Sequence, residues 1–147
     1  SSSMSLFISP EAIVGWALAV GGTLLRVWCY KTLAKAFTFE LSVKDGHKLV
    51  RSGPYAFVRH PSYTGYYALM IGAAMCTYGR GSWWAQVGFH VGAWRFLAAA
   101  HLVWESVLLA SFWGRCTLED KVLHEHFKEE WESWEKEVPY RMVPGVV

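Results

Sequence analysis

Three apolar runs, each close to the thickness of a lipid bilayer, constrain this chain more than any other feature. Ala12 to Tyr30 is about 19 residues with a single charge, Arg26. At about 1.5 Å of rise per residue, a helix of that length crosses a hydrocarbon core of roughly 30 Å. Trp28 and Tyr30 at its end suit an interfacial aromatic belt, where Arg26 can snorkel. Tyr63 to Tyr78 is a second run, rich in the small residues Gly65, Gly72, Ala73 and Ala74 that allow close helix packing in lipid. Trp83 to Gly114 is too long for one straight span. It reads as a short interfacial piece, then a spanning helix over about 94–113. The expected fold is an all-α integral membrane helical bundle: one domain over 1–147, with spans near 12–30, 63–78 and 94–113.

The polar segments complete this arrangement. The connector 31–62 is basic, and from Thr117 the pattern becomes a charged amphipathic helix over 117–138. Its stripe is Leu118, Val122, Phe127, Trp131, Trp134 and Val138. Thr117-Leu118-Glu119-Asp120 is either a capping box or the interior of a longer helix. Three spans place the connector and the tail 115–147 on one side, and together these hold 11 of the 14 Lys and Arg residues. The positive-inside rule makes that side cytosolic. A net charge of +2 with no run of like charges gives no reason to expect nucleic acid. Cys29, Cys76 and Cys116 lack metal or disulfide spacing and read as small apolar fillers. The first run has neither the basic flank nor the cleavage site of a signal peptide, and Ser1-Ser2-Ser3 before Met4 suits a processed or truncated start.

Between the first two runs lies His47-Lys48-Leu49-Val50-Arg51-Ser52-Gly53-Pro54-Tyr55, continuing to Arg59-His60-Pro61-Ser62-Tyr63-Thr64-Gly65. A polar, proline-stiffened segment at a membrane surface is costly unless it holds something, and pre-ordering by Pro54 and Pro61 lowers the entropy lost on binding a ligand. These blocks resemble the cofactor motif of the isoprenylcysteine carboxyl methyltransferases. Arg115, Glu119, Leu123, Phe127, Glu129-Glu130-Trp131, Trp134, Val138-Pro139 and Pro144 follow that family's C-terminal pattern, so the likeness runs over about 37–144. One departure is Lys128, where the family commonly has Gly.

The resemblance implies a membrane enzyme of the endoplasmic reticulum that uses S-adenosylmethionine to methylate the C-terminal carboxylate of a prenylated cysteine, without a metal. Its partners would be a prenylated protein C-terminus or a prenylcysteine-like lipid, and membrane lipid. It implies that His47, Lys48, Leu49, Val50, Tyr55, His60, Pro61, Ser62, Tyr63 and Glu119 line the cofactor site, and that Arg115 is the catalytic, substrate-binding residue. The residue chemistry agrees. Glu119 can accept from an ammonium or ribose hydroxyls, the histidines can donate to a carboxylate, and a tyrosine face can cover a cation. The acceptor carboxylate is ionised at neutral pH and needs no general base. Rival readings are an NADPH-dependent sterol-type reductase, which shares an RHP-x-Y-x-G loop, a methyltransferase acting on a phospholipid or another small acceptor, and an inactive membrane adaptor. Outside the motif, His101 and Glu105 sit one turn apart within the third span, where a mutual hydrogen bond is the expected arrangement.

Overall fold

The computed structural model describes residues 7–33 and 48–146. Among these the regular structure is helical, with no strand. Helix α1 is Pro10–Leu33 and α2 is Pro61–Tyr78. A four-residue helix, α3, covers Trp83–Gln86, α4 is Gly92–Phe127, and α5 is Glu129–Glu137. The residues gather into two compact units, one within Ser1–Thr23 and Tyr67–Ala110, the other within Leu24–Tyr66 and Ser111–Val147.

Two helices, α1 and α4, are long and apolar enough to cross a membrane. Both turn large apolar side chains outward, including Ile13, Trp16 and Leu24 on α1 and Phe96, Val103 and Trp104 on α4. That is the reverse of a helix buried in a soluble core. The second expected span is a helix over the expected residues. Its tyrosines, Ser62, Thr64 and Thr77 keep α2 out of that most apolar class.

In the first unit, Ser9 caps α1 by accepting from the Ala12 amide at 3.2 Å, with Pro10 in the first turn. Helices α1 and α2 meet backbone to backbone. A Cβ on Gly72 would lie 2.3 Å from the Gly15 carbonyl oxygen, and one on Gly15 would lie 2.7 Å from that of Gly72. Gly81, with φ 82°, makes the turn after α2, and Ser82 caps α3 through the Ala85 amide at 3.2 Å. Trp83 and Trp84 then meet Trp94 edge to face. His101 pairs with Glu105 at 3.2 Å, as expected, and also hydrogen-bonds the Tyr78 hydroxyl at 2.7 Å.

The second unit is built on Cys29, Tyr55, Trp131, Trp134 and Val138, with Leu49, Val50, Leu123 and Phe127 packed against them. Here the expected helix 117–138 is corrected. Thr117 is interior to α4, a continuous helix of 36 residues and about 54 Å. The break falls at Lys128, whose φ of 47° and ψ of −114° end α4 and redirect the chain into α5. The turn lets Trp131 and Trp134 reach the same cluster as Leu123 and Phe127, which one straight helix would carry past it.

A Lys in that backbone region is strained, whereas Gly occupies it freely. Lys128→Gly should therefore raise stability by about 1 kcal/mol in reversible unfolding. Gly72→Ala should lower the thermal midpoint, because its methyl group meets backbone. Gly21→Ala, with nothing within 4 Å of its Cβ, should leave the midpoint unchanged or slightly higher.

Candidate functional site

The second unit gathers its polar side chains where the linker before α2 meets the C-terminal part of α4. Pro61 is the first residue of α2, where its missing N–H costs nothing and its ring biases His60 toward extended backbone. The preceding amides are satisfied by the C-terminal tail. Arg59 N donates to the Tyr140 carbonyl at 2.9 Å and His60 N to that of Arg141 at 2.7 Å. The Thr64 hydroxyl adds a third tie, to the Met142 carbonyl at 2.5 Å. The tail thus lies along residues 59–64 and fixes the direction in which His60 points.

Asp120 is the buried centre of this arrangement. Its Oδ1 accepts from His60 Nε2 at 2.8 Å, while Oδ2 lies 3.4 Å from both Arg59 Nη2 and Arg141 Nε. Arg59, 3% exposed, also donates to the carbonyls of Val138 and Pro139 at 3.0 Å each and lies over the Trp131 ring. Charges removed from water to this extent persist only when paired.

The other ring nitrogen of His60, Nδ1, stands 3.4 Å from Glu119 Oε2. Only the imidazolium can donate from both nitrogens, so His60 is held charged. Burial alone would lower its pKa, but the hydrogen bonds and charges of Asp120 and Glu119 outweigh that and hold it above the usual 6.5. Burial likewise works to raise both carboxylates. His60 is the main opposing influence on each, joined by Arg59 and Arg141 at Asp120 and by Tyr63 and Arg115 at Glu119, and both are held below their usual values. Glu119 Oε1 accepts from the Tyr63 hydroxyl at 2.6 Å and from Arg115 Nε at 3.1 Å.

His60, Tyr63, Arg115 and Glu119 therefore form one contact network. The remaining expected site residues lie outside this network. Tyr55 is buried in the apolar cluster, its carbonyl accepting from Trp134 Nε1 at 3.3 Å, and Leu49 and Val50 pack on that cluster. Pro61 is fully buried, Lys48 is exposed, and the Ser62 carbonyl accepts from Arg26 at 3.1 Å. His47 lies outside the described residues. Asp120, Arg59 and Arg141 are the additions. Arg59 and Asp120 lie within quoted segments and Arg141 between Pro139 and Pro144, but a linear sequence carries no sign that the three meet. Among the described residues, no group of three or more His, Cys, Asp or Glu is placed to hold a metal ion.

Asp120→Ala should lower stability by about 3–5 kcal/mol, since it strands buried cations. Glu125→Ala, in an exposed pair with Lys121, should change it by less than about 0.5 kcal/mol. The raised His60 favours the folded state fully below pH 6.5 and ceases to do so as pH rises through its folded-state value. The lowered Asp120 acts oppositely, its contribution complete above its usual 3.8 and lost in acid. Stability against pH should show a plateau between these limits, and His60→Gln should remove the alkaline decline.

The family described as isoprenylcysteine carboxyl methyltransferase (ICMT) has a sequence model that matches residues 14–110, more than half of the chain. The match takes in α1, the motif linker and α2, and stops short of Arg115 and Glu119, whereas the motif reading extended over about 37–144. Protein-S-isoprenylcysteine O-methyltransferase B of Arabidopsis thaliana is 31% identical over 103 residues, 69% of this chain and 50% of that protein. Protein-S-isoprenylcysteine O-methyltransferase of Xenopus laevis is 30% identical over 112 residues, 75% of this chain and 38% of its own. The Schizosaccharomyces pombe protein of the same name is 31% identical over 120 residues, 80% of this chain and 43% of its own. The chain spans about half the length of the curated relatives it matches, or less. With the family's model aligned over most of α1, the whole linker and α2, the chain belongs to the isoprenylcysteine carboxyl methyltransferase family.

Proposed function

We propose that this chain is an integral membrane methyltransferase acting on the C-terminal carboxylate of prenylcysteine, with S-adenosylmethionine as methyl donor. The observation that carries the reading is the approach of His60 and Glu119 to 3.4 Å, which joins the motif linker to α4 in one polar network. Three spans, α1, α2 and the 94–113 part of α4, would set the connector 31–62 and the C-terminus on the cytosolic side of the endoplasmic reticulum membrane. The distribution of Lys and Arg supports that orientation.

The donor set suits the cofactor's groups. Glu119, with two oxygens and further lone pairs, can take an ammonium or ribose hydroxyl beside its present partners. The face of Tyr63 can cover a cation. Of the residues named from the motif, His47, Lys48, Leu49, Val50, Tyr55, His60, Pro61, Ser62, Tyr63 and Glu119 are assigned to cofactor binding. Within that group, the contacts suggest that His60 orients Glu119, and that Leu49, Val50 and Tyr55 support the linker from beneath. When bound, S-adenosylmethionine supplies a methyl group on a positively charged sulfur, whose passage to a carboxylate oxygen leaves a neutral ester and a thioether with no proton to move. The protein's task is therefore alignment and exclusion of water, with Arg115 close to Glu119 as the motif's cation for the acceptor.

The test is transfer of labelled methyl from S-adenosylmethionine to N-acetyl-S-farnesylcysteine by the purified chain in detergent. Arg115→Ala and Glu119→Ala should each lower kcat/KM by about 100-fold or more, about 2.7 kcal/mol or more. Cofactor affinity should fall mainly in Glu119→Ala. Equilibrium binding to NADPH in preference to S-adenosylmethionine would favour a reductase, and cofactor binding without turnover would favour an adaptor.

A further inference from the structure

We infer that Arg26 of α1 binds the carboxylate of the methyl acceptor. The inference rests on the proposed methyl transfer to an acid and adds to it the cation that draws that acid in. Arg26 is the one charged residue of α1 between Glu11 and Lys31. Its guanidinium is held by neutral groups. Nη1 donates to the Ser62 carbonyl at 3.1 Å, Nη2 donates to the Tyr30 hydroxyl, and the rings of Tyr30 and Tyr66 lie 5.4 Å and 5.3 Å from its central carbon. Among the described residues, no carboxylate lies within ion-pair distance of it. The other four arginines of this unit, Arg51, Arg59, Arg115 and Arg141, all have one.

A half-buried cation in an apolar helix is costly without a counter-charge, and such residues typically mark a ligand path. A guanidinium has five N–H donors, and the contacts above occupy only two, leaving enough for paired bonds to a carboxylate. Position favours the acceptor. Ser62 immediately precedes Tyr63, and a row of ring contacts runs from Tyr66 to Phe112 at 4.7 Å and from Phe112 to Tyr63 at 5.3 Å. The hydroxyl of Tyr63 then donates to Glu119. Arg26 and Glu119 both border this aromatic row, so a cofactor held by Glu119 would direct its methyl group along the row toward a carboxylate at Arg26. Arg115, the motif's cation for the acceptor, shares its charge with Glu119 at 3.1 Å, so Arg26 would act as a second cation alongside it. Among the arginines of this unit within the described residues, Arg26 is the one with no carboxylate at ion-pair distance. A carboxylate held there turns into an uncharged ester on methylation, so the same contact that binds the acid releases the product.

The test measures binding of N-acetyl-S-farnesylcysteine and of its carboxamide to the full chain in phosphatidylcholine nanodiscs. Wild type should prefer the acid by about tenfold or more, about 1.4 kcal/mol. Arg26→Gln should bring that ratio close to one, Arg26→Lys should retain part of it, and S-adenosylmethionine affinity should stay unchanged in both. Full acid preference in a folded Arg26→Gln overturns the assignment. So does a loss confined to S-adenosylmethionine affinity, which would make the cofactor's own carboxylate the anion at Arg26. An acid preference that disappears from wild type when phosphatidylglycerol is added overturns it in favour of a lipid phosphate. Wild type binding neither probe and transferring no methyl group would instead sink the proposed function, and this assignment with it.

Discussion

The second unit depends on one buried carboxylate. Asp120 receives His60 from the linker, Arg59 from the same linker and Arg141 from the tail, so segments far apart in sequence are tied at a single point on α4. In water such contacts contribute little. Here Asp120 is 6% exposed and Arg59 3%, and each charge removed from water requires the others to stay. Apolar packing around Trp131 and Trp134 supplies the bulk of the burial, but it sets no direction. The carboxylate does, because hydrogen bonds to its two oxygens are met only in one arrangement of linker and tail.

That arrangement divides the motif between structure and chemistry. His60 presents one nitrogen to Asp120 and the other to Glu119, and so passes the position of the buried charge on to the carboxylate nearest the proposed ligands. Glu119, more exposed than Asp120, keeps Tyr63 and Arg115 as further partners. Leu49, Val50 and Tyr55 belong to the apolar base beneath. Within the motif, His60, Tyr63 and Glu119 share one polar network, while Leu49, Val50 and Tyr55 pack in the apolar cluster.

The first unit follows a different rule. Its helices α1 and α2 approach until backbone touches backbone at Gly15 and Gly72, the packing expected where lipid removes any hydrophobic drive between helices. Contact area and dispersion must then replace burial of oily surface, and side chains larger than hydrogen would prevent both. Its polar pair, His101 with Glu105, is completed by the Tyr78 hydroxyl and stays self-contained.

Much of this was legible in the chain. The lengths of the apolar runs and the pairing of His101 with Glu105 follow from local chemistry. The continuity of α4 through Thr117 was open, because a capping box and a helix interior share the same residues. The break at Lys128 had as its one sign the Gly common there in the family, since Lys itself favours helix and the need of Trp131 and Trp134 to reach the cluster takes its backbone out of that region. Nothing in the order of residues marks that Arg59, Asp120 and Arg141 meet. What sequence alone determined is which segments are helical and apolar, because periodicity and hydration act over a few residues. Which charges are paired, and that Arg26 has no carboxylate at ion-pair distance among the described residues, was decided only by tertiary structure, because an ion pair depends on distance and burial that residues 60 positions apart acquire through folding.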